Sequence, residues 1–138
     1  MKIVTQQFGS LDLSEKDIIS FQRGIIGFEK LNRYVVIDDE EYKPFRWLLS
    51  VDDPDTRFPV LNPLLVFPEY GKELPKGLVK KIFSSNEVVD LFCLVTLKGM
   101  GGKVTINLKS PVVIDFPNKT GEQIVLASEK LPVAQPIS

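Results

Sequence analysis

The sequence predicts an all-β domain, mainly antiparallel, folded as a partly closed barrel or a sandwich with one short helix. Three observations predict it. Val and Ile together number 26 against 2 Ala in 138 residues. Branched Cβ atoms crowd a helix and suit a pleated surface, whereas Ala is the best helix former. Ten prolines and nine glycines are spread along the whole chain, as many short strands need many turns. Hydrophobic residues make up 43% and charged residues 25%, which excludes disorder, collagen and coiled coil. The length fits a single domain, here residues 1–130. Pro132 and Pro136 mark residues 131–138 as a loosely held tail.

The elements follow in order. Lys2 to Phe8 is an opening strand, turned by Gly9-Ser10 into the alternating Leu11-Asp12-Leu13. Asp17 to Phe21 is a second strand, ended by Gly24 and Gly27. Tyr34 to Ile37 and Phe45 to Val51 are the third and fourth, each stopped by an acidic run. Phe58 to Phe67 is apolar, but Pro59 and Pro63 cannot donate to a ladder, which makes it an edge or a bend. From Lys76 to Phe83, Leu78 and Ile82 recur at helical spacing with Lys80 and Lys81 outward, and this is the one helix. Val88 to Lys98 is almost wholly apolar, a strand buried on both faces. Lys103 to Leu108 alternates cleanly, and Pro111 to Phe116 and Glu122 to Ala127 complete the set. Closure of such a sheet removes the exposed edges that invite aggregation.

Composition narrows the chemistry sharply. Histidine is absent, so no Ser-His-Asp or Cys-His arrangement can form, and the commonest general base is missing. One cysteine permits neither an internal disulfide nor a Cys/His zinc site. Cys93 lies within Leu91-Phe92-Cys93-Leu94-Val95, where apolar surroundings suppress the thiolate. Gly99-Met100-Gly101-Gly102-Lys103 lacks P-loop spacing and the Ser or Thr after Lys, and reads as a hairpin loop. No apolar run approaches the ~18 residues that span a bilayer, and the first residues lack the apolar region of a signal peptide. The expectation is a soluble, non-enzymatic protein of a reducing compartment, the cytoplasm, without metal, cofactor, membrane or direct nucleic-acid partner.

Charge is distributed unevenly. Residues 1–70 carry 8 Lys and Arg against 12 Asp and Glu, a net of −4, and residues 71–138 carry 9 against 6, a net of +3. Seven carboxylates (Asp38, Asp39, Glu40, Glu41, Asp52, Asp53 and Asp55) fall within eighteen residues, offset only by Lys43 and Arg46. Their spacing is not that of a calcium loop, and nothing places them across a glycosidase cleft. Two readings remain: solvated turns, or a surface that steers a basic partner.

Several motifs read together resemble the FliW family of flagellar assembly factors. Ile18-Ile19-Ser20-Phe21-Gln22-Arg23-Gly24-Ile25-Ile26-Gly27-Phe28-Glu29 is similar to the family's opening signature, departing at Ile26, where the family has Pro. Trp47 to Asp53, Phe58-Pro59-Val60-Leu61-Asn62-Pro63, Phe67-Pro68-Glu69-Tyr70 and Asp90 to Thr96 continue it in order. Thr105 to Ile114 carries the most specific motif, Asn-Leu-x-x-Pro followed by apolar residues, and Gly121 to Leu126 closes the resemblance.

The resemblance implies a cytoplasmic binding protein with two partners. One is newly made flagellin; the other is the RNA-binding translational regulator CsrA, which the free protein would take off the flagellin transcript. CsrA binds phosphates and so presents basic surface, for which Asp38–Glu41 and Asp52–Asp55 are the complements. Flagellin ends are amphipathic and need an apolar groove or strand edge, for which Phe58, Leu61, Asn62, Leu64, Leu65 and Phe67 are the candidates. The alternative function is a β-barrel whose mouth holds a small molecule or carbohydrate.

Overall fold

In the computed structural model, residues 1–83, 89–97 and 102–137 are described. A two-stranded ribbon opens the chain, β1 (Lys2–Thr5) with β2 (Gly9–Asp12). Then come β3 (Ile19–Ser20), β4 (Arg33–Asp38), β5 (Arg46–Ser50), β6 (Arg57–Leu61), α1 (Lys76–Phe83), β7 (Val89–Thr96), β8 (Thr105–Ile106), β9 (Val112–Asp115), β10 (Thr120–Gln123) and β11 (Gln135–Pro136). Strands β3, β4, β5, β6, β7, β9 and β10 pair in that order and close on themselves as a seven-stranded barrel. Every neighbour is antiparallel except β10 with β3, a parallel contact at Thr120 and Ser20. The β-rich class, the barrel and, among the described residues, one short α-helix at Lys76–Phe83 match the expectation.

The barrel is full. Alternate residues point inward, so Ile19, Tyr34, Leu48, Val60, Phe92, Val112 and Ile114 form one cluster, joined by Phe21 and Ile25 from the loop after β3. Burying each of these large side chains contributes about 1.5–3 kcal/mol. Outside the barrel two further layers form. Ile3, Leu11 and Leu13 of the opening ribbon cover Val35, Leu49 and Val51. Tyr70, Leu74, Leu78, Ile82, Ile106 and Leu108 cover Leu61, Leu91, Cys93 and Val95. β7 is therefore buried on both faces, which explains its unbroken apolar sequence.

Some boundaries differ from the expectation, for local reasons. The second strand shrinks to Ile19–Ser20 because Ser14 and Asp17 form a reciprocal cap on a 3-10 turn at Glu15–Asp17. The strand expected over Glu122–Ala127 is regular only over Thr120–Gln123. Beyond it, the Ile124 and Leu126 N–H groups donate to the Pro111 and Lys109 carbonyls at 2.9 Å each. Of the glycine-rich loop, Gly99 to Gly101 lie outside the described residues, as do Val88 and Lys98 at the ends expected for β7.

Two corrections concern proline-bearing segments. β6 is no edge, since it lies between β5 and β7, but the bend expected within Phe58–Phe67 does come after Leu61, where Asn62 caps a 3-10 turn over Pro63–Leu65. The Ser50 N–H donates to the Thr56 carbonyl at 3.0 Å, and alternation from that pair turns residues 57, 59 and 61 toward β7. Pro59 thus withholds no bond from β5, and the ladder with β7 stops at Val60 opposite Leu94, where the next rung needs the N–H it lacks. The segment 131–138, expected to be loosely held, is tied down over 131–137. Gln135 pairs with Ile106, the Leu108 N–H donates to Pro132, the Ile137 N–H donates to Val104, and Leu131 and Ile137 pack on the outer cluster.

Candidate functional site

The two acidic runs do not form one surface. β4 and β5 are an antiparallel hairpin in which Asp38 faces Arg46 and Tyr34 faces Ser50. Asp38–Glu41 connects the strands at one end, and Asp52–Asp55 leaves β5 at the other, about 13 Å away along the strands. Neighbours in sequence are thus separated by the length of a hairpin.

Most of these carboxylates already have work in the fold. Asp38 holds Arg46, with Oδ1 2.6 Å from Nε. Arg46 also lies 3.9 Å from Asp90 and over the rings of Phe92 and Phe116 at 5.6 and 5.9 Å. It plugs this mouth of the barrel, a role nothing in the linear sequence indicated. Asp39 caps the following 3-10 turn by accepting the Glu41 N–H at 3.0 Å, and Glu40 pairs with Lys43 at 3.0 Å. Glu41 is exposed, and no ion pair involves it among the described residues.

At the opposite end Asp52 is bound by Arg33, whose guanidinium holds that carboxyl below its ordinary range. Asp53 accepts the Thr56 hydroxyl at 2.8 Å. Asp55 is exposed, and its carboxylate has no hydrogen-bond or ion-pair partner among the described residues. Among the described residues, the exposed carboxylates without an ion pair in these runs include Glu41 at one end and Asp53 and Asp55 at the other.

The apolar candidates divide in the same way. Leu61 is a core residue, 1% exposed, and Leu64 and Phe67 pack on the outer cluster. Asn62 caps the 3-10 turn at Pro63–Leu65, accepting the Leu64 N–H at 2.9 Å. Leu65 alone stands out, 62% exposed. Phe58 points into the barrel but reaches its rim, edge-on to Phe28 with ring centroids 5.0 Å apart.

Phe28 and Ile26, though large and apolar, are exposed. Both lie on the loop after β3, which closes the second mouth of the barrel by inserting Ile25. Two concavities mark the surface. A shallow cleft of about 530 Å³ is lined by Trp47, Asp55, Phe58, Pro59, Val95 and Leu97. A groove of about 630 Å³ runs between α1 and the β3–β10–β9 wall, lined by Arg23, Gly24, Leu78, Lys81, Asp115 and Glu122 among others. Asp115 there is engaged by Asn118, which holds its carboxyl below the ordinary range.

Among the described residues, the centre of the barrel is lined by apolar side chains and Tyr34. The Tyr34 hydroxyl is buried without a partner among the described residues and is pushed up to about 12 by burial. Cys93 sits on the outer face of β7 beneath Tyr70, its thiol pushed up to about 12 by burial. It is the inert thiol the sequence predicts. A filled interior also removes the cavity that a small-molecule-binding barrel would need.

Comparison with known proteins is consistent along the whole chain. The family model described as "FliW protein" matches residues 2–137. "Flagellar assembly factor FliW" of Caldanaerobacter subterraneus subsp. tengcongensis is 38% identical, covering 99% of this chain and 93% of its own length. The protein of the same description from Clostridium beijerinckii is 34% identical, covering 99% and 98%. A solved structure, "Crystal structure of the flagellar assembly factor FliW", superposes with a TM-score of 0.83 at 29% identity over 100% of this chain and 97% of that one.

Proposed function

Because the chain belongs to the FliW family of flagellar assembly factors, we propose that it is a cytoplasmic partner-switching protein that binds flagellin and, when free of it, binds CsrA. Binding CsrA relieves repression of flagellin translation; flagellin, as it accumulates, occupies the protein and restores repression. The observation that carries this reading is family membership over nearly the full length, joined to a barrel whose interior is packed solid. A packed barrel acts through its outer surface. What that surface offers is free carboxylates at both ends of the β4–β5 hairpin and exposed apolar side chains at the loop-closed mouth. Carboxylates suit a basic regulator and apolar side chains suit an amphipathic, export-competent chain.

The test is isothermal titration of the purified protein against flagellin monomer and CsrA, singly and together. The reading expects saturable binding of each, and release of CsrA when flagellin is added. Absence of binding to both overturns it.

A further inference from the structure

Residues 107–111 carry the most specific of the motifs that resemble the family, and the fold uses them to build a fixed edge beside β7. The Asn107 N–H donates to the Leu94 carbonyl at 2.9 Å, and the Asn107 Oδ1 accepts the Lys109 and Ser110 N–H groups at 3.0 and 3.1 Å. The Leu108 carbonyl accepts the Tyr70 hydroxyl at 2.6 Å. Ser110 is held from a third side, its carbonyl accepting a bond from Gln123 Nε2 at 3.1 Å. None of these bonds involves residues 131–137.

What lies against that edge is bound differently. Alternation along β8 sends the backbone groups of residue 107 toward β7 and those of 106 and 108 the other way. There the Leu108 N–H donates to the Pro132 carbonyl at 3.0 Å, Gln135 pairs with Ile106, and the Ile137 N–H donates to the Val104 carbonyl at 3.1 Å. No residue over 131–137 is buried: Leu131 and Ile137 are half-buried anchors at the two ends, and Val133 between them is 66% exposed. Pro132 and Pro136 have no N–H to give. The base of the segment is fixed, since Lys109 Nζ donates to the Ser128 carbonyl at 2.7 Å and the Leu126 N–H to the Lys109 carbonyl at 2.9 Å. Glu129 and Lys130, both exposed, make the turn between that base and the segment.

We infer that residues 131–137 are a releasable strap, hinged at Glu129 and Lys130, and that its release opens the outer edge of β8 to an extended chain segment. The asymmetry between the two sides carries this. The edge keeps its bonds to Leu94, Tyr70 and Gln123 when the strap leaves, whereas the strap is held by the edge. Local opening costs only the contacts it breaks, and here these are a few backbone hydrogen bonds and two half-buried side chains. Once uncovered, Val104, Ile106 and Leu108 present unpaired backbone groups, which a second extended chain can pair with. The strap itself defines what fits. Leu131-Pro132-Val133-Ala134-Gln135-Pro136-Ile137 carries no charge and sets its apolar anchors six residues apart. The edge is a preorganised acceptor for a segment of that chemistry.

The experiment reads amide hydrogen exchange of the full chain by NMR in rising urea. Leu108 and Ile137 report the strap side of the edge, and Asn107 reports the β7 side. Expected is protection at least about 100-fold lower at Leu108 and Ile137 than at Asn107, with little dependence on urea below the unfolding transition. Equal protection at all three, with the urea slope of global unfolding, overturns the inference. A second arm adds a synthetic peptide of residues 130–137 to wild type and to the double variant Leu131→Asp/Ile137→Asp, in which the strap is undocked. The peptide should bind the variant at least about tenfold more tightly, shifting the Thr105, Ile106 and Leu108 resonances, because in wild type the strap competes for the edge. A peptide that fails to bind the variant at millimolar concentration, or binds both proteins equally, overturns it too. No flagellin or CsrA enters either arm, so the outcome is independent of the partner reading above.

Discussion

Gly121→Ala tests the barrel packing most directly. Gly121 lies in β10 opposite Ile114, with no positive φ, so its backbone does not require glycine. Its neighbour does. A Cβ built there lies 2.3 Å from Cζ, 2.4 Å from Cε1 and 2.8 Å from Cε2 of Phe21, where ordinary contact begins at 3.4 Å. The ring must retreat by about 1 Å. It has nowhere to go, since Phe21 is 0% exposed and stands edge-on to Tyr34 at 5.1 Å within the filled barrel. Overpacking of this kind costs about 1–3 kcal/mol. Replacing glycine in a strand returns about 0.5–1 kcal/mol, which leaves a net loss of up to about 2.5 kcal/mol, with a mid-value of slightly more than ~1 kcal/mol. In urea, with a slope of about 2 kcal/mol/M, the midpoint falls by roughly 0.5–1 M.

The matching control is Phe21→Leu, which makes room. Alone it leaves a void and destabilises. Combined with Gly121→Ala, the two losses should sum to less than their separate values by about 1 kcal/mol, because the methyl then occupies the space the ring vacated. A midpoint for Gly121→Ala within error of wild type, or strict additivity in the double variant, would refute the steric argument.

Other consequences are equally open to measurement. Arg46→Met should destabilise by about 1–2 kcal/mol through lost pairing and ring contact, and a cycle with Asp38→Asn should show coupling of roughly 0.5 kcal/mol in the half-exposed pair; no coupling would return Asp38 to the free surface. Stability should fall as pH rises from 9 toward 12, because the unfolded chain releases the Cys93 and tyrosine protons near 9.0 and 10.0 while Cys93 and Tyr34 hold theirs to about 12. Cys93→Val should flatten the first part of that decline in urea titrations, and Cys93 should react with a thiol reagent only in denaturant. On the acid side, Asp52 and Asp115 have lowered values, so their contribution is present above 3.8 and is lost as pH falls below it. Reversing Glu40 and Glu41 to Lys, and separately Asp53 and Asp55, should weaken CsrA binding unequally and in a salt-dependent manner; equal losses from both pairs would contradict their separation along the hairpin.

The features legible in the sequence are those whose signal is carried by near neighbours. The branched, alanine-poor composition gave the β class. Leu78 and Ile82 at helical spacing marked α1 over Lys76–Phe83, and the unbroken apolar run around Cys93 marked a strand covered on both faces. The inertness of Cys93 also followed from its immediate context, because burial alone raises its thiol. The motifs that resemble the FliW family were visible too, but only as an ordered series.

Tertiary structure alone decided where those local pieces face one another. Asp38 and Asp52 are fourteen positions apart and look like one acidic patch, yet an antiparallel hairpin sends them to opposite ends of the barrel. Pro59 looks like an edge marker until the register shows that its missing donor faces β7 and not β5. Gln123 gains its meaning only when Ile26, 97 residues away in the chain, meets its side chain. Periodicity records which face of an element is apolar, and it carries no record of which distant element covers that face. Closure of the ring through β7 with β9 and β10 with β3 supplies the missing information, and with it the mouth at which Ile26 and Phe28 are displayed.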